Sequence, residues 1–204
     1  MLLEYFKAKS LLDKYGIRSV ESRYVSSAED AVKFSRGNKI VLKVISEKQL
    51  HKSKAGLVKL GLEEEDEIKR AYKELEAKAK RIAPYKIIAQ KMAGSGIEAI
   101  IGGREDPQFG KMILIGLGGI YVEAFKDFAL RTCPITEYDA SEMLDQLKSR
   151  QVMTYNGESS AMLTALLLRI SRMLKENPSI KELDLNPVIL RKDGYDVVDI
   201  RVLE

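Results

Sequence analysis

The spacing of apolar and polar positions changes period several times along this chain, and each change marks a predicted element. Over residues 2–14, Leu2, Tyr5, Phe6 and Leu12 fall on one side of a 3.6-residue repeat, which predicts a helix closed by Gly16. "SAEDAVKFSRG" predicts a second short helix, with Ser27 and Asp30 spaced as in a capping box. "KIVLKVIS" is continuously apolar and rich in β-branched residues, the pattern of a strand buried on both faces, and Lys43 interrupts it. "LVKLGL" predicts another strand. Residues 63–82 carry the clearest helical stripe: Ile68, Tyr72, Leu75, Ala79 and Ile82. Acids from Glu63 to Glu67 suit its N-terminus, and bases from Lys78 to Arg81 suit its C-terminus.

Four strand-like runs follow, "KIIAQKM", "GIEAIIGG", "KMILIGL" and "IYVEAF", separated by turns such as "REDPQFG". "FALRTCPI" predicts a fifth. Helices are predicted over 138–149 and 159–176, with Pro178 just beyond the second. The chain ends in a predicted hairpin, "KELDLNPVILRKDGYDVVDIRVLE", turning at "KDG". Helices and strands alternate irregularly, which implies an α+β fold in two lobes with a boundary near Pro84–Lys86.

Composition narrows the function classes. The 204 residues are 45% apolar and 31% charged, with a net charge of +4 and a pI near 8.9. Bases and acids are interleaved, so no arm or stripe points to nucleic acid. No apolar run approaches the roughly 20 residues of a membrane span. Cys133 stands alone, so no intramolecular disulfide can form. The first residues, "MLLEYFKAKSLLDKYG", are charged throughout and hold no signal-peptide core. A cytoplasmic location is expected.

Several residues break the apolar pattern in ways that suggest chemistry. Two readings of Lys43 stand. Its strand is an edge with one exposed face, or its ammonium meets a bound anion such as a phosphate. "HKSKAG" follows that strand, and its lysines and small residues suit phosphate oxygens. His51 is the one histidine, and imidazole takes up a phosphoryl group near neutral pH. In the terminal hairpin, period-2 alternation puts Glu182, Asp184 and Asn186 on one face, opposite Leu183 and Leu185. Centring the turn on Asp193 brings Asp199 across from about Asn186. Converging oxygen donors suit Mg²⁺, while a solvated polar face is the plain alternative. Asp184, on the same face, is a candidate to orient the imidazole of His51. Glu98 interrupts another apolar strand, and the glycines of "GLGGIYVEAF" permit either close approach to a ligand or a structural turn. Asp127 and Arg131 read as an ordinary surface pair.

Together these residues resemble the β subunit of ADP-forming acetyl-CoA (acyl-CoA) synthetases, an ATP-grasp protein related to the succinyl-CoA synthetase β subunit. The resemblance runs through nearly the whole chain and is strongest in "LHKSKAGLVKLGL", "EAIIGGREDPQFGKMILIGLGGIYVEAFKDFALRTCPIT" and "IKELDLNPVILRKDGYDVVDIRV". It implies two lobes clasping a nucleotide: residues 17–88 as the small lobe, and residues 1–16 with 89–204 as the large one. Lys43 is then expected at the phosphates of ATP or ADP, under a turn containing Lys52, Ser53 and Lys54, with Glu98 near the nucleotide. Asn186 and Asp199 match ligands of Mg²⁺. The histidine at the position of His51 is transiently phosphorylated in the family. The implied reaction is acyl-CoA plus phosphate plus ADP giving acid, CoA and ATP, reversibly. The implied partner is a CoA-binding α subunit carrying the first phosphohistidine, in an α₂β₂ assembly.

The chain departs from the family pattern at two places. Lys54, Ala55, Gly56 and Leu57 stand where an acid, alanine and two glycines are usual, and Lys91 stands where glutamate is usual. Two further readings therefore accompany the first: an ATP-grasp ligase forming an acyl phosphate directly, without phosphohistidine, and a non-catalytic partner subunit. His51 argues against the former, and the joint presence of Lys43, His51, Asn186 and Asp199 against the latter.

Overall fold

The computed structural model describes residues 1–46, 56–119, 127–155 and 157–204. His51, Lys52, Ser53 and Lys54, and the predicted strand "IYVEAF", lie outside these residues. The chain divides into two units, one of Val20–Ala93 and one of Met1–Ser19 with Gly94–Glu204.

The unit Val20–Ala93 is a four-stranded antiparallel sheet with helices on one face. Its elements are β1 (Ser22–Val25), α2 (Ala28–Ser35), β2 (Ile40–Ile45), β3 (Val58–Leu62), α3 (Glu65–Ala79) and β4 (Lys86–Lys91); α1 precedes them in the other unit. The Ser27 hydroxyl accepts from Asp30 N at 3.0 Å, and the Asp30 carboxylate accepts from Ser26 N. The predicted cap therefore forms, closed one residue earlier than in a full box. Ile40, Leu42 and Val44 pack with Ile68 and Leu75 of α3 into one core. The strand order β1-β4-β2-β3 sets β2 inside the sheet, between β4 and β3. This corrects the edge-strand reading of Lys43: its neighbours are Ile88 on β4 and Val58 on β3, and it is 5% exposed.

The larger unit is an open antiparallel sheet, ordered β10-β8-β5-β6-β7, with β9 also paired to β8. Its strands are β5 (Ile97–Asp106), β6 (Gly110–Leu117), β7 (Phe128–Thr132), β8 (Glu182–Arg191), β9 (Gly194–Val197) and β10 (Ile200–Leu203). Helices α1 (Tyr5–Lys14), α4 (Glu137–Asp145) and α6 (Ser160–Glu176) pack on one sheet face, with the short α5 (Arg150–Met153) between α4 and α6. The core joins Ile101, Ile113, Ile115, Leu183 and Leu185 to Leu12, Met143, Leu166 and Ile170.

Two predicted helices are shorter than their stripes. Leu2 and Leu3 do not begin α1; they lie along β10, with Leu2 bridging Leu203 and Leu3 N donating to Val202 O at 2.9 Å. Glu4 caps the helix instead, its carboxylate accepting from Phe6 N and Lys7 N. The stripe over 138–149 is helical only as far as Asp145, and α5 begins just beyond it at Arg150. Both oxygens of Asp127 accept from the backbone there, from Lys148 N and Ser149 N at 2.8 Å each. Asp127 thus does not serve Arg131 as a surface pair; Arg131 donates to Gln146. These are tertiary bonds, and no local pattern announces them.

Candidate functional site

The terminal hairpin forms with a defect at its middle. Residues 188–191 of β8 pair with β9, and residues 182–185 pair with β10. The register is the same on both sides of the gap: Val188 faces Val197, and Leu185 faces Ile200. Asn186 therefore lies opposite Asp199. On the other side of β8, the ladder to β5 shifts between Ala99 and Ile101, so Asn186 and Pro187 together oppose Ile100. Proline has no N–H to give to a ladder, which is why it sits at such a bulge. Bulges re-aim side chains, and here Asn186 is exposed beside half-buried Asp199.

Alternation along β8 holds up to this point. Leu183 and Leu185 are buried, while Glu182 and Asp184 lie half-buried on the opposite face. Asp184 sits in register between Gly102 of β5 and Arg201 of β10. Burial pushes its carboxyl above the ordinary aspartate range; the Arg201 guanidinium opposes this, and the charges of Asp199 and Glu182 add to it. Arg201 also pairs with Glu182 at 3.3 Å. Gly102 carries no side chain between Leu114 and Asp184, so this sheet face holds an open trough of about 510 Å³ with Met112, Leu114 and Leu130 along it and Glu182 and Asp184 at its polar side. Arg201 was not singled out from sequence. Its signal was its period-2 relation to Asp199.

The donors present fit a Mg²⁺ ion. Among the described residues, no group of three or more His, Cys, Asp or Glu side chains is placed to enclose a metal. An amide oxygen and a carboxylate across a hairpin are instead the sparse, hard donor set that Mg²⁺ uses when water and phosphate complete its octahedron.

Glu98 lies on β5, exposed, opposite Ile189. The glycines after β6 run alongside it: Gly118 N donates to Glu98 O at 2.7 Å. A Cβ on Gly118 would stand 2.9 Å from the Glu98 carbonyl carbon, and one on Gly119 would stand 3.0 Å from Glu98 Oε2. Gly119 is also in the left-handed region, at φ +74°. These contacts support the structural-turn reading of the glycines, since side chains there would meet Glu98.

In the unit Val20–Ala93, Lys43 shares the helix-free sheet face with Val41, Ile88 and Gln90, and Gln90 is 1% exposed. Gln90 was missed although its signal matches that of Lys43, a polar residue inside an apolar strand. Of the residues that depart from the family pattern, Leu57 and Lys91 have structural roles, while Lys54 lies outside the described residues. Leu57 is 4% exposed in the core beside α3, and its carbonyl accepts from Val44 N. Lys91 donates to Ser35 O at the end of α2 and lies 5.2 Å from the centre of the Phe34 ring. The structure thus places Lys43 in one unit, and Glu98, Asp184, Asn186 and Asp199 together in the other.

Comparison with known proteins gives concordant matches. A family model described as an ATP-grasp domain matches residues 1–203. The β subunit of acetate–CoA ligase (ADP-forming) I from Pyrococcus furiosus is 35% identical over 207 residues, which cover 97% of this chain and 89% of that one. Among solved structures, acetyl-coenzyme A synthetase 1 of Ca. Korarchaeum cryptofilum, in complex with coenzyme A, Ca-AMPCP and HgCl⁺, is 38% identical. It superposes with a TM-score of 0.90, covering 100% of this chain and 92% of that one. A second structure of that synthetase, with coenzyme A and Mg-AMPPCP, has its phosphohistidine segment pointing towards the nucleotide-binding site. Its TM-score is 0.84, with 38% identity over 99% of this chain and 92% of that one.

Proposed function

The chain belongs to the ATP-grasp family, among the β subunits of ADP-forming acetate–CoA ligases, and on that premise we propose that it binds the nucleotide and relays a phosphoryl group through His51. The overall reaction is acyl-CoA plus ADP plus phosphate giving acid, CoA and ATP. The observation that carries this reading is the hairpin register, which sets Asn186 opposite Asp199 with Asp184 on the same face.

Each residue then has a physical task. Lys43 brings a positive charge to the nucleotide phosphates from a rigid central strand, so little side-chain freedom remains to be lost on binding. Lys52, Ser53 and Lys54 surround the same phosphates, and Glu98 lies beside the nucleotide. Asn186 and Asp199 hold Mg²⁺, which when bound neutralises charge on the phosphate oxygens. The Nε2 or Nδ1 lone pair of His51 attacks the phosphorus of a phosphohistidine presented by a separate CoA-binding subunit. The donor's P–N bond breaks as the new one forms. A β-phosphate oxygen of ADP then attacks, and the electron pair returns to the imidazole of His51. Asp184 fixes the imidazole tautomer and stabilises its positive charge during transfer. The trough beside Asp184 offers room for the incoming segment. Dividing the transfer between two histidines keeps each step at close approach.

The test is labelling with γ-³²P-ATP and Mg²⁺. Wild-type chain is expected to carry acid-labile, base-stable phosphate, and His51→Asn to lose it while still binding nucleotide. Label that persists in His51→Asn overturns the relay and favours direct formation of an acyl phosphate.

A further inference from the structure

Asp199 occupies the two-residue gap between β9, which ends at Val197, and β10, which begins at Ile200. Inside the hairpin, Val198 N donates to Pro187 O at 3.0 Å across this gap. On the outer edge, the first 19 residues of the chain hold the hairpin on both sides of the gap. Beyond the gap, Leu3 N donates to Val202 O, and Leu2 bridges Leu203. Before the gap, Ser19 forms a parallel bridge with Val197, and Val197 N donates to Arg18 O at 3.1 Å. Helix α1 connects the two grips.

Arg18 makes the stronger of these grips. Its Nε and one terminal nitrogen both donate to Tyr195 O, at 3.0 and 2.7 Å. Its backbone N–H donates to the Tyr195 hydroxyl at 3.3 Å. Its guanidinium pairs with Asp196 at 3.1 Å, and Asp196 is held from the other side by Arg191 at 2.8 Å. A planar fork spent on one carbonyl and one carboxylate fixes residues 195–197 in direction as well as position. Asp199 follows two residues later.

We propose that Arg18 is a positioning residue for the metal site: by fastening Tyr195–Val197 to the chain at Arg18–Ser19, it fixes Asp199 opposite Asn186. This rests on the reading of Asn186 and Asp199 as the ligands of Mg²⁺. Groups that orient metal ligands typically influence affinity by about 10–100-fold without touching the ion. Arg18 touches neither ligand, and sequence distance hides it, since some 180 residues separate it from Asp199.

The experiment measures ADP binding by calorimetry across a Mg²⁺ titration, for wild type, Arg18→Ala and Arg18→Lys. Arg18→Ala is expected to weaken the apparent Mg²⁺ affinity by about tenfold, with metal-free ADP binding held within about twofold. Arg18→Lys keeps a charge near Asp196 but loses the fork, and is expected to fall between; it carries the test if Arg18→Ala does not fold. Hydrogen exchange at the amides of residues 197–200 is expected to quicken in both variants and to recover with saturating Mg-ADP. A variant that melts earlier but keeps wild-type Mg²⁺ affinity overturns the proposal and leaves Arg18 a structural brace. Wild-type protein whose ADP binding ignores Mg²⁺ overturns the metal reading beneath it.

Discussion

Lys43 sits where a lysine is costly, in a central strand with an apolar neighbour on either side. In the proposed site it is the charge of Lys43 that meets the nucleotide phosphates. Lys43→Ala is expected to weaken Mg-ADP binding by about 1.5–3 kcal/mol, the scale of a charge-assisted contact, measured by calorimetry; unchanged affinity would remove Lys43 from the site. Asp184 presents the converse case. Burial raises its pKa in the folded protein, so folding favours the protonated form. Its contribution is favourable below the unfolded-state pKa and is lost as pH rises through the folded value. At neutral pH the ionised carboxylate therefore opposes folding. Asp184→Asn is expected to raise the melting temperature of the metal-free protein at pH 7. That gain should fade as pH falls towards the ordinary aspartate range. A constant difference across this pH window would show that burial is not what governs the residue.

Elements explain the chain's departures from its relatives better than residues do. Leu57 leads into β3 and faces the core formed with α3. Leu57→Gly, the residue type usual in the family, is expected to lose about 3–5 kcal/mol from the cavity left and the added backbone freedom, read from urea unfolding. A loss under about 1 kcal/mol, the range of exposed sites, would place the leucine outside the core. Lys91 binds the last turn of α2 through Ser35 O, where a cation complements the helix dipole. Within β8 the ladder changes from β10 to β9 at Asn186–Pro187, and that irregularity creates the exposed position of Asn186, the proposed metal ligand. Gly118 and Gly119 likewise serve an element junction, since side chains there would meet Glu98.

At the scale of the whole molecule, the proposed relay needs a second protein. The chain has one histidine, and a two-histidine transfer requires another. The isolated chain is expected to show no acyl-CoA synthetase activity, and activity is expected on adding a CoA-binding partner subunit, in an assembly whose light-scattering mass fits α₂β₂. Thioester formation by the pure chain would refute this division of labour. Among the described residues, no helix is long and apolar enough to cross a membrane.

Sequence alone determined what short-range physics controls. Period and β-branching located β2, β5, β6, α3 and α6, because a side chain's face depends on its nearest neighbours along the chain. The hairpin register was legible to within one residue: centring the turn on Asp193 put Asp199 across from about Asn186, and the observed two-residue turn at Lys192–Asp193 sets the two directly opposite. Tertiary structure alone decided the rest. β4 inserts between β1 and β2, making Lys43 interior rather than marginal. Asp127 binds the backbone just past the end of a shortened helix, and Leu2–Leu3 and Arg18–Ser19 grip a hairpin at the far end of the chain. Each of these is a hydrogen bond or strand pairing between residues distant in sequence. Their partners are chosen by which surfaces remain to be covered once the local elements have formed, and periodicity, being a local property, carries no record of that choice.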